Sequence, residues 1–248
     1  MKAIYILCIR QLKRYVRSPA RMIGSLGQPI LFLLALGFGL GSMFSRAGGG
    51  NYINFIAPGI ISMAILFSAV FSGIEIIWDR QFGFLKETLV APVSRMQIVL
   101  GRTLGGAIVA TLQGVVVFVI CLIFGFRIHS FALLPVALLF MFLLALLFTS
   151  IGTAIGSVLQ DMQGFPLIMN FLVMPLFFFS NALFPFAGLP RLFQTILHLN
   201  PVTYGVDGVR GSLNSVFTFG VSTDLAVLGA LTAILLAVGS YLFSKIQL

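Results

Sequence analysis

Charge is almost absent from long stretches of this chain, and that decides its solvent. Charged residues make up 8% of the 248 positions and apolar residues 59%. A water-soluble domain of this size carries about a quarter charged residues. With so few, the surface must face lipid, and every backbone group in the hydrocarbon must be satisfied within the chain. Long apolar runs without strict alternation then imply helices, each needing about 20 apolar residues to cross.

Six such runs are legible: Ile23 to Phe44, Ile53 to Trp78, Val99 to Phe126, Phe131 to Leu159, Phe165 to Phe184 and Val221 to Phe243. They predict an all-α membrane protein of six transmembrane helices. The 248 residues form a single membrane domain, with no room for a sizeable soluble one. The net charge of +9 invites a nucleic-acid reading, but the basic residues flank apolar runs, where orientation in the bilayer accounts for them. With the N-terminus placed in the cytoplasm, Lys2, Arg10, Lys13, Arg14, Arg17, Arg21, Arg80, Lys86, Arg95, Arg102 and Lys245 lie on that side, eleven in all. Arg46, Arg127, Arg191 and Arg210 lie on the other, four in all. The bias places both termini inside, in a cell inner (plasma) membrane. Cys8 and Cys121 are too separated, and too differently placed, to suggest a disulfide framework.

Residues 2–21 read as an amphipathic helix. Ile4, Leu7, Cys8, Leu12, Tyr15 and Val16 make one face, while Arg10, Arg14, Arg17 and Arg21 recur on the other. Such a helix lies in the membrane interface with its arginines towards anionic headgroups. Ser18-Pro19 predicts a break before the first span. Arg10 interrupts the first apolar run and no small-residue cleavage site follows, so the segment reads as retained. The spacings Gly101-xxx-Gly105 and Gly152-xxx-Gly156 let helices approach closely. Gly48-Gly49-Gly50 reads as an external turn.

No site for covalent chemistry emerges. The phosphate-binding loop G-x-x-x-x-G-K-S/T is absent, as is the zinc-protease pattern H-E-x-x-H, and His129 and His198 are far apart. The chain is therefore expected to be no enzyme and to bind no cofactor or metal of its own. Glu75, near the inner end of the second span, either marks a substrate or proton path or has a structural role, reaching the interface or pairing with Arg80 or Arg102. Asp161 reads as a loop charge. Met169, Met174, Phe177, Phe178 and Phe179 line the fifth span with Asn170, Ser180 and Asn181. They offer either an adaptable apolar path for a substrate or simply a packed helix.

The connection 79–98 is the most charged and is too long for a simple turn. Phe84 to Val90 reads as a short helix stopped by Ala91-Pro92. From pattern alone it is either a docking knob or a solvated loop. Three segments decide in favour of the knob by resemblance. Tyr52-Ile53-Asn54-Phe55-Ile56-Ala57-Pro58-Gly59, Gly83 through Arg95 with Glu87 and Ala91-Pro92-Val93-Ser94, and Phe179-Ser180-Asn181-Ala182-Leu183-Phe184-Pro185 followed by Asn200 through Arg210 resemble the permease subunit of ABC-2 type exporters. Asn181 departs from the family, where a glycine commonly follows the serine.

The resemblance implies a half-transporter. A second permease copy, or a paralogue, would pair with it, and two copies of a separate ABC ATP-binding subunit, holding ATP and Mg, would drive it. Phe84, Lys86, Glu87, Thr88, Pro92 and Arg95 would form the ATPase-coupling segment. Residues 2–21 would be the interfacial helix, and 185–213 a re-entrant helical hairpin containing Asn200, Pro201, Tyr204, Asp207 and Arg210. Asp207 and Arg210, three apart, suit an ion pair on one helical face. Asn170, Phe178, Ser180 and Asn181 are the candidate substrate path. The expected cargo is a hydrophobic or amphipathic molecule such as a drug, lipid or lipid-linked compound. Polysaccharide export is the alternative, and ion-coupled secondary transport is the rival class.

Overall fold

The computed structural model describes residues 2–39, 41, 51–84, 90, 92–184 and 190–245, with Arg21 described by its backbone alone. Every regular element among these residues is helical. The helices are α1 (Lys2–Val16), α2 (Pro19–Gly39), α3 (Tyr52–Phe71), α4 (Ile74–Gln81), α5 (Arg95–Ile123), α6 (Leu134–Val158, entered through a 3-10 turn at Phe131–Leu133), α7 (Gly164–Phe178), α8 (Arg191–Leu199), α9 (Pro201–Asn214) and α10 (Val221–Ser244).

Local chemistry sets the boundaries. Helix α1 stops at Val16 and Pro19 opens α2, so the break expected at Ser18-Pro19 is present. The Asn51 side chain accepts from the Ile53 N–H to start α3, Ser94 does the same for Gln97 in α5, and Asn200 for Val202 in α9. Asp161, read from sequence as a loop charge, is the corresponding device for α7: its carboxylate accepts from the N–H groups of Gln163 and Gly164, each at 2.9 Å. Ser215, at φ 61°, ends α9 in the left-handed region.

Among the described residues, five helical segments are long and apolar enough to cross a bilayer: Met22–Gly39, Tyr52–Gln81, Arg95–Ile123, Phe131–Val158 and Val221–Ser244. The expected fifth span differs. Helix α7 ends at Phe178 after 15 residues, and the chain turns through Ser180–Leu183. The physical reason is Asn200, whose amide donates to the carbonyls of Leu176 at 2.6 Å and Phe179 at 2.8 Å. A distant residue thus occupies acceptors of the last turn that a longer helix would use itself.

The α3–α4 column is central. Of its most apolar window 72% is buried, against 17% for the windows in α2 and α10, so those two helices form the periphery. Ile56, Ile60, Ile61, Ile65 and Leu66 of α3 pack with Phe140, Leu144 and Phe148 of α6 and Val206 and Val209 of α9 in one core. Between α3 and α4 the regular helix is interrupted at Ser72–Gly73, both still in the right-handed helical region. There a Cβ on Gly73 would lie 2.1 Å from the Gly152 carbonyl oxygen, and one on Gly152 would lie 2.4 Å from that of Val70. Backbone touches backbone, which only glycine permits. The Gly152-xxx-Gly156 spacing therefore serves α6 against the α3–α4 junction. Gly101 and Gly105 serve α5 against α1, where a Cβ would meet Leu7 and Gln11 at 2.9 Å.

Candidate functional site: an arginine clamp and a buried polar hairpin

Two clusters of charge lie at opposite ends of the α3–α4 column. Phe55 and Asp79, which touch one cluster each, are 24 positions apart in chain number, roughly 36 Å of helix.

At the α1 end, Glu75 and Asp79 lie four apart on α4 and are both buried. Arg10 and Arg14 lie four apart on α1. The matched spacing lets one helix turn of each face the other. Arg10 Nη2 donates to Asp79 Oδ2 at 2.8 Å, and Arg14 Nη1 to Glu75 Oε2 at 3.1 Å. Arg14 Nη2 also stands 3.7 Å from Asp79 Oδ1. Arg102, buried on α5, donates to the same Asp79 carboxylate. Asp79 is therefore the hub joining α1, α4 and α5. Burial of unpaired carboxylates at this depth would be very costly, and the arginines remove most of that cost.

Two neighbouring arginines close helix ends. Arg80 donates to the carbonyls of Ser157 at 2.7 Å and Leu159 at 3.3 Å, at the C-terminus of α6. Arg95 donates to the Ser244 carbonyl at the end of α10. Cations suit both positions, because last-turn carbonyls are unpaired and the helix dipole is negative there. Cys8 points its thiol at the Gly101 carbonyl, 3.3 Å away, and burial pushes that thiol up. The Tyr15 hydroxyl donates to the Gln113 side-chain oxygen.

This arrangement revises the sequence reading of the four-arginine stripe. Arg10 and Arg14 turn towards acidic partners inside the protein, while Arg17 is exposed. The Arg21 side chain lies outside the described residues. Periodicity shows that a face is basic; it does not show that carboxylates from residues 61 and 69 positions away lie beneath it. Glu75 has Arg14 as an ion-pair partner, rather than the expected Arg80 or Arg102. The signal that would have found this was the four-residue spacing of Glu75 and Asp79, equal to that of Arg10 and Arg14.

At the other end, the expected ion pair between Asp207 and Arg210 is absent. The Asp207 carboxylate accepts from the backbone N–H of Thr218 at 2.8 Å and of Phe219 at 2.9 Å, which fastens the α9–α10 connection to α9. Arg210 donates to the Asn181 carbonyl at 2.7 Å, and its guanidinium lies 4.4 Å from the Phe55 ring centre. Each charge is satisfied by backbone from a different segment, because the turns at 180–183 and 215–220 bring free carbonyls and N–H groups nearer than the two side chains are to each other. Tyr204 donates to the His198 carbonyl at 2.8 Å, holding α8 against α9. Asn200, with Pro201 following as the first residue of α9, ties both to the end of α7.

Of the residues expected to line a substrate path, Phe178 and Ser180 face one cavity with Phe179, Phe184, Phe193 and Leu197. Asn170 and Phe178 are exposed on α7, whereas Ser180 and Asn181 are buried in the turn after it. Ser180 Oγ donates to the Phe177 carbonyl at 2.6 Å. Lys86, Glu87 and Thr88 lie outside the described residues, as do Gly48–Gly50 and Pro185. Phe84 and Val90 on either side of the first group are helical, Pro92 follows, and Arg95 opens α5.

The model of the family described as ABC-2 type transporter matches residues 2–214, which include both clusters. The chain belongs to that family. Nodulation protein J of Rhizobium leguminosarum bv. trifolii is 30% identical over 193 residues, covering 77% of this chain and 73% of its own length. The inner membrane transport permease YadH of Escherichia coli (strain K12) is 29% identical over 199 residues, covering 77% of each chain. A chain of Cyanophora paradoxa named as a transport permease, ycf38, is 28% identical over 217 residues, covering 85% of this chain and 73% of its own. With its apolar helices, this ABC-2 family member is a multi-pass membrane protein.

Proposed function

We propose that this chain is the permease subunit of an ATP-driven exporter, moving a hydrophobic or amphipathic molecule out of the cytoplasm or inner leaflet. The observation that supports it most is the family match over 2–214, which includes the connection 79–98 and the clamp on its α4 side. Helix α4 leads into that connection and α5 leaves it, and Asp79 and Arg102 join the two to α1. Force applied to the connection reaches three helices at once through short, charge-assisted bonds. In this reading Phe84, Lys86, Glu87, Thr88, Pro92 and Arg95 meet a groove on the ATPase, and α1 lies in the cytoplasmic interface beside them.

The rest of the architecture follows from the same reading. Helix α7, about 22 Å long by its residue count, is shorter than a bilayer core and serves with the turn at 179–184 as the sixth crossing. Helices α8 and α9 form the described part of the re-entrant hairpin on the far side, held by Asn200, Asp207 and Arg210. Both termini are cytoplasmic. The functional unit contains a second permease copy and two ATP-binding subunits, which hold ATP and Mg between them. Transport requires that nucleotide favour one of two permease states and that cargo contact those states unequally.

The test is purification of the tagged chain from native membranes in mild detergent, with an assay for a bound ATPase. The wild type is expected to carry vanadate-sensitive activity at near-equal stoichiometry. Glu87→Arg is expected to lose it while inserting normally. An unaltered chain that brings no ATPase, under conditions that preserve known complexes, refutes the reading.

A further inference from the structure

At the corner where α9 gives way to α10, a buried carboxylate stands without a donor. Asp224, in the first turn of α10, is 0% exposed, and neither of its carboxylate oxygens has a hydrogen-bond partner among the described residues. What it faces, within hydrogen-bonding reach, is the carboxylate of Asp207 on α9. That group is buried as well, and it already accepts the N–H groups of Thr218 at 2.8 Å and Phe219 at 2.9 Å. Two carboxylates so close and so dry do not both stay ionised.

No cation among the described residues reaches Asp224. Arg210, one turn from Asp207, turns its guanidinium to the carbonyls of Asn181, Ala182 and Phe55 and to the Phe55 ring. Tyr204, beside Asp224, donates its hydroxyl to the His198 carbonyl. His198 is exposed, its ring 5.1 Å from that of Phe219. Helix α6, packed along α10, carries no titratable side chain from Leu134 to Val158. From Val109 onward α5 carries only the Cys121 thiol. Arg127 and His129, on the connection leaving α5, are exposed. Arg210 thus stands against two buried carboxylates, and the corner is one positive charge short where Asp207 and Asp224 meet.

We propose that this corner binds one proton, held on Asp224 and donated to Asp207, and that the resulting hydrogen bond latches α10 to α9. Asp207 is the acceptor because two backbone N–H groups already stabilise its charge. The dipole of α10 favours a negative charge in its first turn, but no N–H of that turn reaches the Asp224 oxygens. The pair lies beneath the 215–220 connection, where Ser215, Val216 and Thr218 are exposed, so the proton exchanges with the medium when that connection lifts. Without the proton, two facing carboxylates repel and drive α10 from α9. The latch is therefore complete while the site is protonated and is lost as pH rises through its titration. It does not rest on the exporter reading.

The test uses the full chain, purified into phosphatidylcholine nanodiscs. At neutral pH its infrared spectrum is expected to show the carbonyl band of a protonated carboxylic acid. The chain has six acidic side chains, so the band is assigned by substitution: it disappears in Asp224→Asn and persists in Glu87→Gln. Asp224→Asn offers an amide N–H to the same acceptor and is expected to melt with wild type at neutral pH. Between about pH 5 and pH 9, the melting temperature of wild type is expected to fall by at least about 3 °C more than that of Asp224→Asn. Parallel melting curves, or no acid band in wild type, would overturn the proposal. A missing band together with melting raised by sodium or calcium at constant ionic strength would show that a metal cation fills the corner instead. If Asp224→Asn does not fold, the wild-type band and its loss on alkalinisation decide the matter.

Discussion

The two charged ends of the molecule solve the same problem in different ways. At the α1 end, carboxylates buried on α4 are met by arginine side chains from α1 and α5, and the Arg10 and Arg14 side chains remain 39% and 37% exposed. At the Asp207 end, Asp207 and Arg210 are buried and are each met by backbone from a connecting turn, beside a third buried ionisable group, Asp224, whose carboxylate oxygens have no hydrogen-bond partner among the described residues. Side-chain pairs between separate helices can lengthen, swap partners and re-form as helices move. Backbone bonds into a tight turn fix both the charge and the turn. The first arrangement suits a joint and the second a rigid plug, which is the division of labour expected if force arrives at the α1 end.

The sharpest way to break this comparison is Asp79→Ala. It removes the hub and strands Arg102 as a buried cation, so a loss of about 3–5 kcal/mol is expected, read as a large fall in the melting temperature of the purified protein. A melting temperature within a degree or two of wild type would show that the clamp holds nothing. Next comes Gly152→Val, against the α3–α4 junction of the central column. The added side chain meets the Val70 carbonyl, and overpacking of about 1–3 kcal/mol is expected. Normal stability and normal coupled ATPase activity would mean that α6 and the central column separate freely.

Double-mutant cycles sharpen the contrast. Asp79 with Arg102 is expected to be non-additive by about 1–3 kcal/mol, because the two touch. Asp207 with Arg210, neighbours three apart on α9 that make no hydrogen bond to each other, is expected to be non-additive by less than the Asp79 and Arg102 pair. The reverse order would put the joint at the wrong end. The smallest effect is expected for Arg17→Gln. This arginine is exposed, so less than about 0.5 kcal/mol is at stake, and raising salt should erase any difference between variant and wild type. Persistence of a difference at high salt would show that Arg17 acts through packing instead.

Much of the fold was legible because its cause is local. Pro19 both breaks α1 and starts α2, and the expected limits of the spans from Val99, Phe131 and Val221 lie within a few residues of helices α5, α6 and α10. The end of α7 was not legible, because Asn200, some twenty residues further on, sets it. The same holds for the candidate site. Arg10, Arg14, Asn200, Asp207 and Arg210 were all identifiable as unusual groups for a membrane chain. Their partners were not, since a pairing inferred at three-residue spacing along α9 lost to backbone groups supplied by loops.

The sequence by itself determined that this chain lives in lipid as helices, where they begin, which residues carry charge and, through quoted motifs, the family. Tertiary structure alone decided which charges meet. Apolar periodicity is repeated over dozens of residues and needs no partner to be read, whereas an ion pair at membrane depth forms with whichever donor the packed helices bring within about 3 Å. That choice is made by glycine contacts at Gly73, Gly101 and Gly152, which bring the helix backbones together and so set which side chains arrive.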